Sequence, residues 1–143
     1  MNLSELTDNL KARFEGLETS VEDRFLALNA PAGALPELAR TLHAAGFTYP
    51  ADVTAFDTGQ ELQVLYRLYD LTTRNMILLR VPVARRGGSL PTVSHLWRGA
   101  EWYEREIFDL FGVRFTGHPD LRRLLLLDDW EGHPMLKEAP PAT

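Results

Sequence analysis

The chain has 143 residues, a net charge of −5 and a pI near 5.3. This fits one acidic domain and argues against nucleic acid, where a basic patch supplies most of the affinity. The absence of cysteine excludes thiolate-held iron–sulfur clusters, thiolate zinc sites, catalytic thiols and disulfides.

Leu3, Leu6, Leu10 and Phe14 recur at spacings of three and four. This predicts a first amphipathic helix, with Ser4 as N-cap and Gly16 as its end. The opening MNLSELTDNLKARFEG lacks the charged-then-apolar order of a secretory leader, so none is expected. Val21–Asn29 reads as a strand. Pro36–Gly46 reads as a second helix, with Pro36 in its first turn, Leu38 and Leu42 inward and Gly46 at its end. Three further strands are predicted at Tyr49–Asp57, Glu61–Asp70 and Met76–Val83. In the second of these, Leu62, Val64, Tyr66 and Leu68 alternate with a mixed face. Residues 57–59 and 71–75 are short enough for hairpin turns, and Pro82 caps the last strand or marks an edge. Arg85 and Arg86, followed by two glycines, read as a solvated turn. The expected fold is therefore α+β, with helices on a mostly antiparallel four-stranded sheet. A single domain over 1–134 precedes a short extended tail, 135–143. No apolar run approaches the roughly 20 residues of a membrane span.

Leu96, Ala100, Tyr103, Ile107, Leu110 and Phe111 follow helical spacing and form a stripe facing the sheet. Glu101, Arg105 and Asp109 read as an exposed i,i+4 ladder, worth about 0.2–0.5 kcal/mol per pair. Trp102 falls within that charged arc, beside Glu106 and Asp109. A large aromatic among charges is how a protein–protein hot spot looks; the competing reading is a helix covered by its own C-terminal tail. Gly112 ends the helix. Val113 and Phe115 alternate with Arg114, and 117–120 form a turn fixed by Pro119. Leu121–Leu127 is an apolar run broken by Arg122 and Arg123, whose side chains point to different faces of an extended segment.

No catalytic constellation emerges. Glu104 and Glu106 diverge by about 200° on a helix and cannot face each other. His118 and His133 each sit between a glycine and a proline, a setting for structural turn histidines rather than for a helical zinc pair. No Ser–His–Asp pattern, phosphate loop or dinucleotide fingerprint is present.

The segments Ala100–Gly112 (AEWYEREIFDLFG), Phe115, Gly117–Arg123 (GHPDLRR) and Asp129–Pro134 (DWEGHP) strongly resemble the C-subunit family of NADH-quinone oxidoreductase, the thirty-kilodalton subunit of respiratory complex I. Leu90–Trp97 (LPTVSHLW) resembles the segment leading into that family's signature helix. The close match covers about residues 90–134. The resemblance implies a non-catalytic subunit of the peripheral arm, on the cytoplasmic face of the inner (plasma) membrane and reaching the membrane only through the complex. It implies no cofactor in this chain, with flavin and iron–sulfur clusters in partner subunits. The implied partners are a D-like large subunit and a B-like, cluster-bearing subunit, along the route from NADH to quinone that is coupled to proton translocation. Matched position by position, Trp102, Glu104, Arg105, Glu106, Asp109, His118, Arg122, Arg123, Trp130 and His133 become the expected fold-holding and docking residues. The same scaffold in a membrane-bound hydrogenase or another complex I-like dehydrogenase is the alternative.

Overall fold

The computed structural model describes residues 2–122 and residue 133. Arg123, Trp130 and the expected tail 135–143 lie outside the described residues. Helix α1 spans Leu3–Arg13. Its cap is Asn2, not Ser4: the Asn2 side-chain oxygen accepts the Glu5 N–H at 2.8 Å. The reason lies in packing. Leu3 is a core residue, so the helix must begin early enough to place it on the apolar face.

The expected single strand over 21–29 is a hairpin. Strand β1, Glu18–Glu22, turns at Asp23 into β2, Phe25–Asn29. Asp23 has φ 51°, a left-handed conformation that short polar side chains tolerate. β1 is mostly exposed and carries no apolar alternation by which to announce itself. A 3-10 turn at Ala32–Ala34 leads into α2, Leu35–Ala44, with a proline in its first turn. Strands β3 (Tyr49–Asp57), β4 (Leu62–Tyr69) and β5 (Met76–Val83) follow within a residue of expectation.

The sheet therefore has five strands in the order β1-β2-β5-β4-β3. This corrects the four-stranded expectation. Three pairings are antiparallel, whereas β2 joins β5 in parallel, from Phe25↔Met76 to Asn29↔Arg80. Parallel neighbours need a crossover, and here α2 with the β3–β4 hairpin supplies it. Pro82 lies beyond Arg80, the last β5 residue paired with β2, so its missing N–H falls where β5 has outrun its parallel neighbour.

Leu26, Leu28, Leu62, Val64, Tyr66, Leu68, Ile77, Leu79 and Val81 point to one face and are buried with the apolar faces of α1 and α2. The expected turn at Arg85 and Arg86 is present and Arg86 is exposed, but the Arg85 side chain is not simply solvated. Its guanidinium grips Asp57 in bidentate fashion, Nε to Oδ1 at 2.9 Å and Nη2 to Oδ2 at 2.9 Å, and the Asp57 side chain is 1% exposed. Asp57 Oδ1 also accepts the Gly59 N–H at 2.8 Å. One carboxylate thus ties the β3–β4 turn to the chain leaving β5. Beyond it, β6 (Ser89–Pro91) and β7 (Arg114–Thr116) pair in parallel as a second, two-stranded sheet. This small sheet brackets α3, Ala100–Phe111.

Candidate functional site

Helix α3 forms because Ala, Glu, Arg, Ile and Leu dominate it, and it stops at Gly112 with φ 84°. The glycine is required twice over. A Cβ there would lie 2.8 Å from the His133 ring, besides being strained at positive φ. The His133 Nδ1–H donates to the Asp109 carbonyl at 2.9 Å, so His133 lies against the C-terminal end of α3.

The inner face of α3 carries a carboxylate. Glu104 is 0% exposed. Its Oε2 accepts the Val93 N–H at 2.9 Å, and its Oε1 is hydrogen-bonded to the Thr92 hydroxyl, which in turn meets the Ser94 hydroxyl at 2.8 Å. His118 Nε2 stands 3.9 Å from Glu104 Oε1, with both side chains at 0% exposure. Nδ1 of His118 accepts the Asp120 N–H at 2.9 Å. The ring proton is therefore on Nε2, from which it is donated to the Glu101 carbonyl at 2.8 Å. Burial pushes Glu104 up to about 7, against the opposing pull of its bonds to Thr92 and Val93. The buried Tyr66 hydroxyl on β4 has no hydrogen-bond partner among the described residues, and burial together with Glu104 holds it well above its ordinary range.

The outer face is different. Trp102 lies roughly opposite Ala100 on the helix and is 55% exposed. It borders an open cleft of ≈ 490 Å³ with Tyr49, Pro50, Arg98, Gly99 and Tyr103. The Tyr103 hydroxyl donates to the Ala51 carbonyl at 3.0 Å and so fixes the cleft floor to β3. The Arg105 guanidinium lies 5.8 Å from the Trp102 ring centroid and 3.9 Å from Asp120 Oδ2. Arg122 Nε donates to Asp120 Oδ2 at 3.1 Å.

The Glu101–Arg105–Asp109 set is not the exposed ladder expected. Asp109 is 0% exposed, and the Arg105 side chain is 13% exposed and turned toward Asp120. Asp109 is buried, and its backbone carbonyl meets His133, a long-range contact that helical angles alone do not reveal. Glu104 and Glu106 do diverge: Glu104 enters the interior, while Glu106 borders Val53, Thr54 and Ala55 of β3. The structure thus joins Glu104 to His118, Arg105 to Trp102 and Asp120, and Asp109 to His133. Thr92, Ser94 and Tyr66 belong to the buried cluster and were not foreseen. Glu104 itself carried a usable signal, since at 100° per residue it falls about 20° from Phe111, at the edge of the Ala100–Ile107–Phe111 stripe.

The family model described as "Respiratory-chain NADH dehydrogenase, 30 Kd subunit" matches residues 28–143. Among curated proteins, the NADH-quinone oxidoreductase C subunit of Roseiflexus castenholzii is 49% identical over 78 residues, 54% of this chain and 45% of that one. The corresponding C subunit of Geobacter metallireducens is 45% identical over 93 residues, 62% of this chain and 57% of that one. The chain thus spans about half the length of these relatives. A protein named as the C/D subunit of NADH-quinone oxidoreductase, from Phocaeicola vulgatus, is 48% identical over 88 residues, 60% of this chain and 17% of its own. A solved trypsin-resistant fragment of Nqo5 superposes with a TM-score of 0.74 at 30% identity, covering 85% of this chain and all of the fragment. The fold also matches a chain of the membrane-bound sulfane sulfur reductase, an archaeal respiratory membrane complex, with a TM-score of 0.77 at 24% identity over 88% of this chain and 77% of that one. With the family model spanning most of the chain, and with α3, the 117–120 turn and the small parallel sheet assembled around it, the chain belongs to the family of the 30 kDa subunit of respiratory-chain NADH dehydrogenase.

Proposed function

We propose that this chain is a non-catalytic peripheral-arm subunit of NADH-quinone oxidoreductase, positioned on the cytoplasmic face of the membrane. Its role is to hold the quinone-reducing module together while neighbouring subunits carry electrons from NADH to quinone and couple them to proton translocation. The observation that carries this reading is the C/D relative, a much longer protein in which a region like this chain is one part. A covalent link between the two parts supports a D-like large subunit as the direct partner, with a B-like cluster subunit next to it. The docking residues in this reading are Trp102, Arg105, Glu106 and Arg122 on or near the exposed side of α3, with Glu104, Asp109, His118 and His133 holding that surface rigid. Trp102 is suited to the part, being a large aromatic beside an arginine at the rim of a cleft.

In this reading flavin and iron–sulfur clusters sit in the partners; for thiolate-held clusters this agrees with a chain without cysteine. The purified chain is expected to be colourless in the visible range and to hold no iron. A visible chromophore with bound iron after purification would contradict it. A mild-detergent pull-down of the full chain is expected to recover a D-like subunit together with flavin- and NADH-binding chains. Recovery of a nickel-bearing large subunit instead would place the same scaffold in a hydrogenase-type complex. Trp102→Ala should reduce recovery of the assembled complex roughly tenfold or more, the scale of a hot-spot truncation above about 1.4 kcal/mol. The melting temperature of the isolated chain should stay nearly unchanged, since the ring is more than half exposed. Equal losses in both would assign Trp102 to the core.

A further inference from the structure

Glu104 joins three separate segments: α3 itself, the 92–94 loop and the 117–120 turn. Its bonds to Thr92 and Val93 fix the loop. Its relation to the turn is different, because the one ring proton of His118 has two acceptors within reach. The Glu101 carbonyl takes it at 2.8 Å, while Glu104 Oε1 waits at 3.9 Å. We propose that Glu104 and His118 form a proton-linked latch, in which the charge on Glu104 selects the acceptor of the His118 Nε2–H. When Glu104 is neutral the Glu101 carbonyl holds the proton; when Glu104 is ionised the carboxylate takes it and draws the turn inward.

The physics favours such a transfer. A buried carboxylate demands hydrogen-bond donors once it is charged, and the His118 Nε2–H, 3.9 Å from Oε1, is one that is committed elsewhere. The hydrogen bond to Asp120 N–H keeps Nδ1 an acceptor, so the ring enters the exchange with a single proton to give. The titratable and charged groups facing this pair, among the described residues, are few. Glu101 on the same helix adds a second negative charge, Tyr66 faces it from β4, and Asp120 lies on the His118 side. Thr92 and Ser94 supply only hydroxyls. Ionisation of Glu104 near neutrality puts the exchange within the range of ordinary cellular pH.

The turn is not an isolated ornament. Asp120 contacts Arg105, and Arg105 lies over Trp102. A shift of His118 by about the ångström that separates its distances to the two acceptors would therefore reach the rim of the exposed cleft. That last link rests on the docking role proposed for Trp102; the latch itself does not.

The test is a pH titration of the full chain by NMR from pH 5.5 to 8.5. The backbone amide signals of Gly117, His118 and Asp120, and the side-chain carboxyl carbon of Glu104, are expected to move with one common midpoint near pH 7. In Glu104→Gln, which keeps the hydrogen bonds of the neutral carboxyl, the turn amides are expected to stay still. The latch is overturned if those amides do not move in the wild type. It is equally overturned if they keep the same midpoint in Glu104→Gln and lose it only in His118→Gln, which would make His118 the titrating group. Should Glu104→Gln not fold, the wild type alone decides, because different midpoints for the Glu104 carboxyl and the turn amides would overturn the proposal. None of these failures touches the pull-down that tests the complex assignment.

Discussion

Trp97→Ala is expected to lower the unfolding free energy by about 3–5 kcal/mol, the range for truncating a fully buried large aromatic. Trp97 is 1% exposed and belongs to the central core. It stands in the segment that enters α3, and its indole N–H donates to the Phe47 carbonyl at 2.8 Å. The His43 ring lies 6.1 Å away in a tilted arrangement. One side chain therefore fills the space between the end of α2, the start of β3 and the entry to α3. Domains of this size have about 5–15 kcal/mol to lose, so the variant should unfold at markedly lower urea concentration, read by circular dichroism. Trp97→Phe separates packing from hydrogen bonding. It retains a ring but strands the Phe47 carbonyl, at about 1–3 kcal/mol. A loss below about 1 kcal/mol for the alanine variant would mean that Trp97 is not a core residue.

The second large effect is a pH dependence carried by Glu104. Its folded pKa of about 7 lies above the ordinary 4.5 of a free glutamate, so between these values the folded state binds more protons than the unfolded state. Stability from this group is therefore fully present below about pH 4.5. It declines as pH rises through neutrality and is gone above the folded pKa. The difference corresponds to roughly 3 kcal/mol at about 1.4 kcal/mol per pH unit. Glu104→Gln resembles the neutral carboxyl and cannot ionise. The stability of the variant minus that of the wild type should accordingly grow by roughly 3 kcal/mol from about pH 4.5 to about pH 8 in urea titrations. Subtracting the two curves removes the contribution of the other carboxylates. A flat difference would show that Glu104 is charged and compensated at low pH.

Periodicity made much of this architecture legible before any coordinates. The three-four spacing of Leu3, Leu6 and Leu10, the alternation in Leu62–Leu68 and the proline-to-glycine bounds of α2 all stand because local pattern and tertiary burial agree there. Trp102 was also legible, since its position in the polar arc needs only the helical angle. The remainder depended on long-range pairing. The β1–β2 turn hides within Glu22, Asp23 and Arg24, where an exposed strand carries no apolar rhythm. The parallel join of β2 to β5 leaves no local mark at all. Asp57 and Arg85 are far apart in sequence and meet only through the fold. Asp109 looked solvent-facing because its burial and its long-range contact with His133 could not be read from α3 alone.

The place of β2 in the sheet has a consequence for synthesis. Its inner neighbour β5 is roughly fifty residues further along the chain. At about 5–20 residues per second, the β1–β2 hairpin waits on the order of 3–10 s for the strand that completes it. During that interval it is an open two-stranded ribbon, marginal on its own in water. The β3–β4 hairpin is closed by a short local turn and can form within microseconds of leaving the ribosome. Local closure therefore favours early formation of the β3–β4 hairpin, while β2 meets its inner neighbour only after β5 has been made.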